Sequence, residues 1–124
     1  MKILVVDDST TMRRILINCL KKIGFEDIVQ AGDGLEAQNV LKEHPDVGLA
    51  LVDWNMPNMN GFEFLEATKA DDEFKHIPMI MVTTEAEKKN VVLAIKAGAA
   101  NYVIKPFTED VIRDKIGAVV ALDD

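Results

Sequence analysis

At 124 residues with 48% hydrophobic and 28% charged side chains, the chain suits one globular domain with a real core; it leaves no room for a second domain and excludes an unfolded polypeptide. Its formal charge of -7 disfavours indiscriminate nucleic-acid binding, which rests on Lys and Arg neutralising phosphates. A single cysteine precludes an internal disulfide, and no apolar stretch approaches the length of a membrane span, so a cytoplasmic protein with no membrane partner is expected.

The first apolar run, Ile3 to Val6, reads as a strand and stops at two aspartates, Asp7 and Asp8. From Ser9 the apolar residues Met12, Ile15, Leu16, Cys19, Leu20 and Ile23 follow helical spacing, with Ser9 as cap and Gly24 as stop. On that stripe Cys19 reads as a small core residue. A short strand near Asp27 to Ala31 leads into a helix capped by Asp33 and stopped before Pro45. Val47 to Val52 is apolar on consecutive residues, as expected of a central strand covered on both faces, and it ends at Asp53. A loop rich in Asn, Met and Pro precedes a helix from about Asn60 to Ala70. A fourth strand, Ile77 to Val82, ends at Thr83 and precedes a helix from about Glu85 to Ala97. The fifth strand, Asn101 to Ile104, ends at Lys105, and Thr108 caps the last helix. Five alternations of this kind predict an α/β domain around a parallel sheet.

If the apolar runs are parallel strands, Asp7, Asp8, Asp53, Thr83 and Lys105 converge on the carboxyl edge of the sheet, where open α/β sheets bind ligands. Asp7 and Asp8 could be helix-capping acids, but that does not account for Asp53 on another strand. Three close carboxylates repel one another unless a cation intervenes, and oxygen donors without His or Cys suit Mg²⁺ rather than zinc. A carboxylate beside such a metal can capture a phosphoryl group, and Asp53 is the best candidate nucleophile. Strands lie about 4.8 Å apart, so the short Thr83 suits a neighbouring strand and the long Lys105 one farther away.

The blocks Val5-Val6-Asp7-Asp8-Ser9, Asp53-Trp54-Asn55-Met56-Pro57-Asn58-Met59-Asn60-Gly61, Val82-Thr83-Thr84-Glu85 and Tyr102-Val103-Ile104-Lys105-Pro106-Phe107 resemble the signatures of bacterial response-regulator receiver domains, most closely the single-domain members of chemotaxis. The resemblance spans essentially residues 1–124 and implies a single (βα)5 flavodoxin-like domain, with a five-stranded parallel sheet of order 2-1-3-4-5 and helices on both faces. It implies Asp53 as phosphoacceptor, with Thr83 and Lys105 binding the phosphoryl group. Asp8, Asp53 and the main-chain carbonyl of Asn55 would be direct Mg²⁺ ligands, and Asp7 a ligand through water. Tyr102 matches the switch aromatic that turns inward with Thr83, and the side chains of Asn55 and Glu85 match positions that tune dephosphorylation. Lys105-Pro106 resembles the family's cis bond.

Two positions depart from the common pattern. Thr84 stands where many members have a small residue, and its bulk is expected to crowd the swing of Tyr102; Asn60 replaces a common Asp, another good cap. His44 and His76 belong at the opposite end of the sheet from the aspartates, so a phosphohistidine on a partner kinase is the implied donor. The resemblance also implies a monomer that changes affinity for a downstream target such as the flagellar motor switch, with a phosphatase as a further partner. The target face would be formed by helix four, strand five and helix five, where Lys88, Lys89, Lys96 and Lys115 suggest a local basic patch. The chain ends one helix after Lys105, so no output domain is expected. The expected role is a signalling phosphoacceptor with self-catalysed phosphoryl uptake and hydrolysis, not an enzyme acting on other substrates. A receiver in a non-chemotaxis pathway, a phosphate sink, a Mg²⁺-dependent aspartyl phosphatase, a flavin carrier and a receiver-like module without phosphorylation are the alternatives.

Overall fold

The computed structural model describes residues 1–121. Strands β1 (Lys2–Val6), β2 (Asp27–Ala31), β3 (Val47–Val52), β4 (Met79–Thr83) and β5 (Asn101–Ile104) alternate with helices α1 (Thr10–Ile23), α2 (Gly34–Glu43), α3 (Gly61–Lys69), α4 (Lys88–Lys96) and α5 (Glu109–Gly117). The strands form one parallel sheet in the order β2-β1-β3-β4-β5. This is the flavodoxin-like arrangement.

Strand alternation splits the core into two layers. Leu4, Val6, Ala50, Val52, Met79, Met81 and Tyr102 face Ala37 and Leu41 of α2, Phe64 and Leu65 of α3 and Ala94 of α4. Ile3, Val5, Leu49, Leu51, Ile80, Val82 and Val103 face Leu16 and Leu20 of α1 and Ile112 and Ile116 of α5. Cutting back Phe64, which is fully buried, would cost about 4 kcal/mol.

The helix ends follow their caps. Ser9, Asp33, Asn60 and Thr108 each accept a backbone N–H of the first turn, and Asn60 and Glu63 form a reciprocal capping box. Gly24 and Gly98 take positive φ beyond the ends of α1 and α4.

Two element starts differ from the sequence reading by two residues or more. Strand β4 begins at Met79 rather than Ile77, because Pro78 has no N–H for a ladder and Ile77 N donates instead to Phe74 in the preceding turn. Helix α4 begins at Lys88 rather than near Glu85, because the Glu85 N–H is taken by Thr83 Oγ1 and the Glu87 N–H by the Glu85 carboxylate.

Candidate functional site

Register brings the acids together. Val6 pairs with Val52, so Asp7 and Asp53 leave adjacent strands at the same level, and the Asp53 N–H donates to the Val6 carbonyl at 2.9 Å. Asp7 is 1% exposed and Asp53 7%, whereas Asp8 is open to solvent. One carboxylate oxygen from each of Asp7, Asp8 and Asp53 lies within 4.8 Å of the others.

Lys105 crosses from β5 to this cluster, past β4. Its Nζ is 2.7 Å from Asp7 Oδ2 and 3.3 Å from Asp53 Oδ2, and the side chain is only 11% exposed. The reach argument therefore matches the strand order. The peptide Lys105-Pro106 is cis, and the Lys105 N–H donates to the Thr83 carbonyl at 2.8 Å, tying the β5 exit to the end of β4.

The other Asp53 oxygen, Oδ1, is buried and has no hydrogen-bond partner among the described residues. A buried anionic oxygen left unpaired is costly, so this atom calls for an external cation or donor. The donor set is all oxygen, with Asp7 Oδ1 already held by the Ser9 N–H at 2.9 Å. Such a set suits a hard divalent cation that retains several waters.

The loop after Asp53 is shaped by close backbone approach. A Cβ on Gly61 would fall 1.9 Å from the Asp53 carbonyl oxygen, so only glycine lets α3 start against the aspartate. Asn58, at φ 66°, donates to Asp33 Oδ2 at 2.7 Å, and the Gly34 N–H donates to the Met59 carbonyl at 2.9 Å. The loop carrying Asn55 is thereby fastened to the start of α2. Asn55 itself is exposed, and Trp54 stacks on Phe62 with ring centroids 5.0 Å apart.

Residues 3–117 match the family described as the response regulator receiver domain. The chain belongs to that family. This receiver is 48% identical over its full length, and the relative's, to the chemotaxis protein CheY1 of Helicobacter pylori. It is 47% identical to the chemotaxis protein CheY homolog of Campylobacter jejuni over 97% of this chain and 92% of the relative. Among solved structures, Vibrio cholerae CheY4 superimposes with a TM-score of 0.87 at 30% identity, covering 96% of this chain and 98% of that one. The CheY chain of a CheX-CheY-BeF3-Mg²⁺ complex from Borrelia burgdorferi gives 0.91 at 28% identity, covering 96% and 88%.

Within the receiver, Thr83 is fully buried at the end of β4, and its hydroxyl accepts the Glu85 N–H at 3.2 Å. Tyr102 is 8% exposed, with its ring in the α2–α4 layer and its hydroxyl donating to the Glu85 carbonyl at 2.7 Å. Burial, then the charges of Glu85 and Asp53, pushes its phenol up to about 12. Thr84 is exposed. Hydrogen bonding from the Asn90 side chain, then from the Glu87 amide, holds the Glu85 carboxyl below its ordinary range.

His76 is exposed and His44 lies beside Lys2 at the amino end of β1, its Nδ1 3.1 Å from the Lys2 ammonium; neither belongs to the aspartate cluster. Lys88, Lys89 and Lys96 are exposed on α4 as expected, and Lys115 is half-buried. Sequence reasoning missed how apolar this side of the molecule is: Leu93 and Ile95 on α4 and Ile104 on β5 are 47–48% exposed, and Val111 on α5 38%. The unbroken apolar run from Val91 to Ile95 was the available signal, since a helix covered on one side cannot bury all of it.

Proposed function

We propose that this receiver is a Mg²⁺-dependent phosphoacceptor switch of a two-component chemotaxis pathway. Asp53 attacks the phosphorus of a phosphohistidine on a partner kinase. One O–P bond forms as the donor's N–P bond breaks, and the departing imidazole keeps the electron pair and is protonated from water. The observation that carries this reading is the unpaired, buried Asp53 Oδ1, set beside two further carboxylates while Lys105 holds Oδ2.

Asp8, Asp53 and the Asn55 carbonyl would hold Mg²⁺ directly, with Asp7 acting through water; when bound, the ion neutralises the phosphoryl oxygens. Lys105 would supply a further positive charge, and Thr83 would offer its hydroxyl to a phosphoryl oxygen. Moving that hydroxyl would release the Glu85 N–H it now accepts, and so would alter the loop whose carbonyl receives Tyr102. Asn55 and Glu85, at the positions that tune dephosphorylation in the family, would set how readily water attacks the phosphoaspartate. The downstream partner, a flagellar motor switch protein, would dock on the exposed apolar and basic side chains of α4, β5 and α5. The names of the Helicobacter and Campylobacter relatives favour chemotaxis over other pathways.

Incubation with Mg²⁺ and a small phosphodonor, followed by intact-mass measurement, tests the reading. One phosphoryl adduct is expected on the parent and none on Asp53→Asn or without the metal. An adduct unchanged in Asp53→Asn contradicts it.

A further inference from the structure

Of the three clustered acids, Asp8 is the least supported. Asp7 is held by Ser9 and Lys105 and Asp53 by Lys105, whereas the Asp8 carboxylate makes no hydrogen bond or ion pair among the described residues. Its direction therefore rests on the backbone, above all on the peptide joining Asp7 to Asp8. The carbonyl of that peptide receives the Nη1 of Arg13, from the first turns of α1. The same guanidinium donates through Nε to Gln30 Oε1 on β2 at 3.1 Å and through Nη2 to Thr10 Oγ1 at 3.4 Å. The Asp7 N–H is already given to Ala31 on β2 at 3.1 Å. Strand β2 thus holds the Asp7 residue twice, by its own carbonyl and through Gln30 and Arg13.

We infer that Arg13, braced by Gln30, is a positioning residue that sets the Asp7–Asp8 peptide and through it aims the Asp8 carboxylate at the cation site. The inference rests on the proposed Mg²⁺ role of the acids. Arginine is required by geometry as well as charge. Its rigid plane presents Nε to Gln30 and Nη1 to the Asp7 carbonyl from two separate atoms in fixed relative directions, whereas the donors of an ammonium rotate about a single atom. A misdirected Asp8 would harm Mg²⁺ more than Ca²⁺, because Mg²⁺ demands near-octahedral ligands at short distance and Ca²⁺ accepts varied ones.

Calorimetric titration with Mg²⁺ and with Ca²⁺ separately tests this on the parent, Arg13→Lys, Gln30→Ala, Arg14→Lys and Asp8→Asn. Arg13→Lys should weaken Mg²⁺ about tenfold, in the range found when groups supporting metal ligands are removed. Gln30→Ala should weaken it by a smaller factor, and both should lower the preference for Mg²⁺ over Ca²⁺; a general loss of stability would not move that ratio. Arg14→Lys, on the exposed face of α1, should match the parent. If Arg13→Lys does not fold, as checked by urea unfolding in chelator, the exposed Gln30→Ala carries the test. A parental ratio in Gln30→Ala and in folded Arg13→Lys, with Asp8→Asn still disabled, overturns this inference alone. A parent that fails to bind Mg²⁺ overturns the proposed function with it.

Discussion

The Tyr102 hydroxyl donates to the Glu85 carbonyl at 2.7 Å while the Glu85 N–H donates to Thr83, so one residue joins the aromatic ring of β5 to the buried hydroxyl at the end of β4. Tyr102→Phe removes the first of these bonds without emptying the ring's place. It should cost about 1 kcal/mol near neutral pH, the net value of a typical hydrogen bond. Its pH dependence has a definite sign. The folded phenol is raised to about 12, above an unfolded value of about 10, so the fold favours the neutral form. That stability is fully present below pH 10 and is lost as pH rises to 12. Urea unfolding across this window should show the parent losing its advantage over the Phe variant.

Lys105 balances two nearly buried acids. Lys105→Met should destabilise the metal-free protein by about 3 kcal/mol, because it leaves buried like charges uncompensated. Mg²⁺ should restore more stability to this variant than to the parent, since the ion takes over the missing charge. Thermal unfolding with and without Mg²⁺ measures both effects.

Gly61→Ala places a methyl group against the Asp53 carbonyl, where backbone rather than a flexible side chain must yield. A loss of about 3 kcal/mol is expected in urea unfolding. Phosphoryl uptake should slow as well, because the displaced atom belongs to Asp53, the proposed phosphoacceptor.

Leu93→Asp, on the exposed side of α4, should leave phosphoryl uptake unchanged and weaken capture of a motor switch protein by the beryllofluoride-loaded chain at least about tenfold. Equal loss of uptake and capture would show that the residue serves the fold rather than the partner.

Much of the fold was legible because its strands are short apolar runs that stop at polar residues. β1 and β3 read correctly to their last residue, and Ser9, Asp33, Asn60 and Thr108 marked helix starts by chemistry that is local in sequence. Convergence of Asp7, Asp53 and Lys105 also followed from strand ends. What escaped the sequence depends on contacts between distant segments. The unpaired Asp53 Oδ1, the Asn58 to Asp33 tie and the Arg13 brace each require strand order and side-chain direction together. The late start of α4 escaped because helical spacing cannot reveal that Thr83 and Glu85 have already taken the amides a first turn would present.

The central claim is that Asp53 carries the phosphoryl group. Reduction of the phosphodonor-treated protein with borohydride converts an acyl phosphate at an aspartate to homoserine, and peptide mass mapping then locates it. The account predicts homoserine at position 53 alone, formed only when Mg²⁺ is present. Homoserine at position 7 or 8 instead, or a phosphoryl group retained on His44 or His76 with position 53 unchanged, would contradict it.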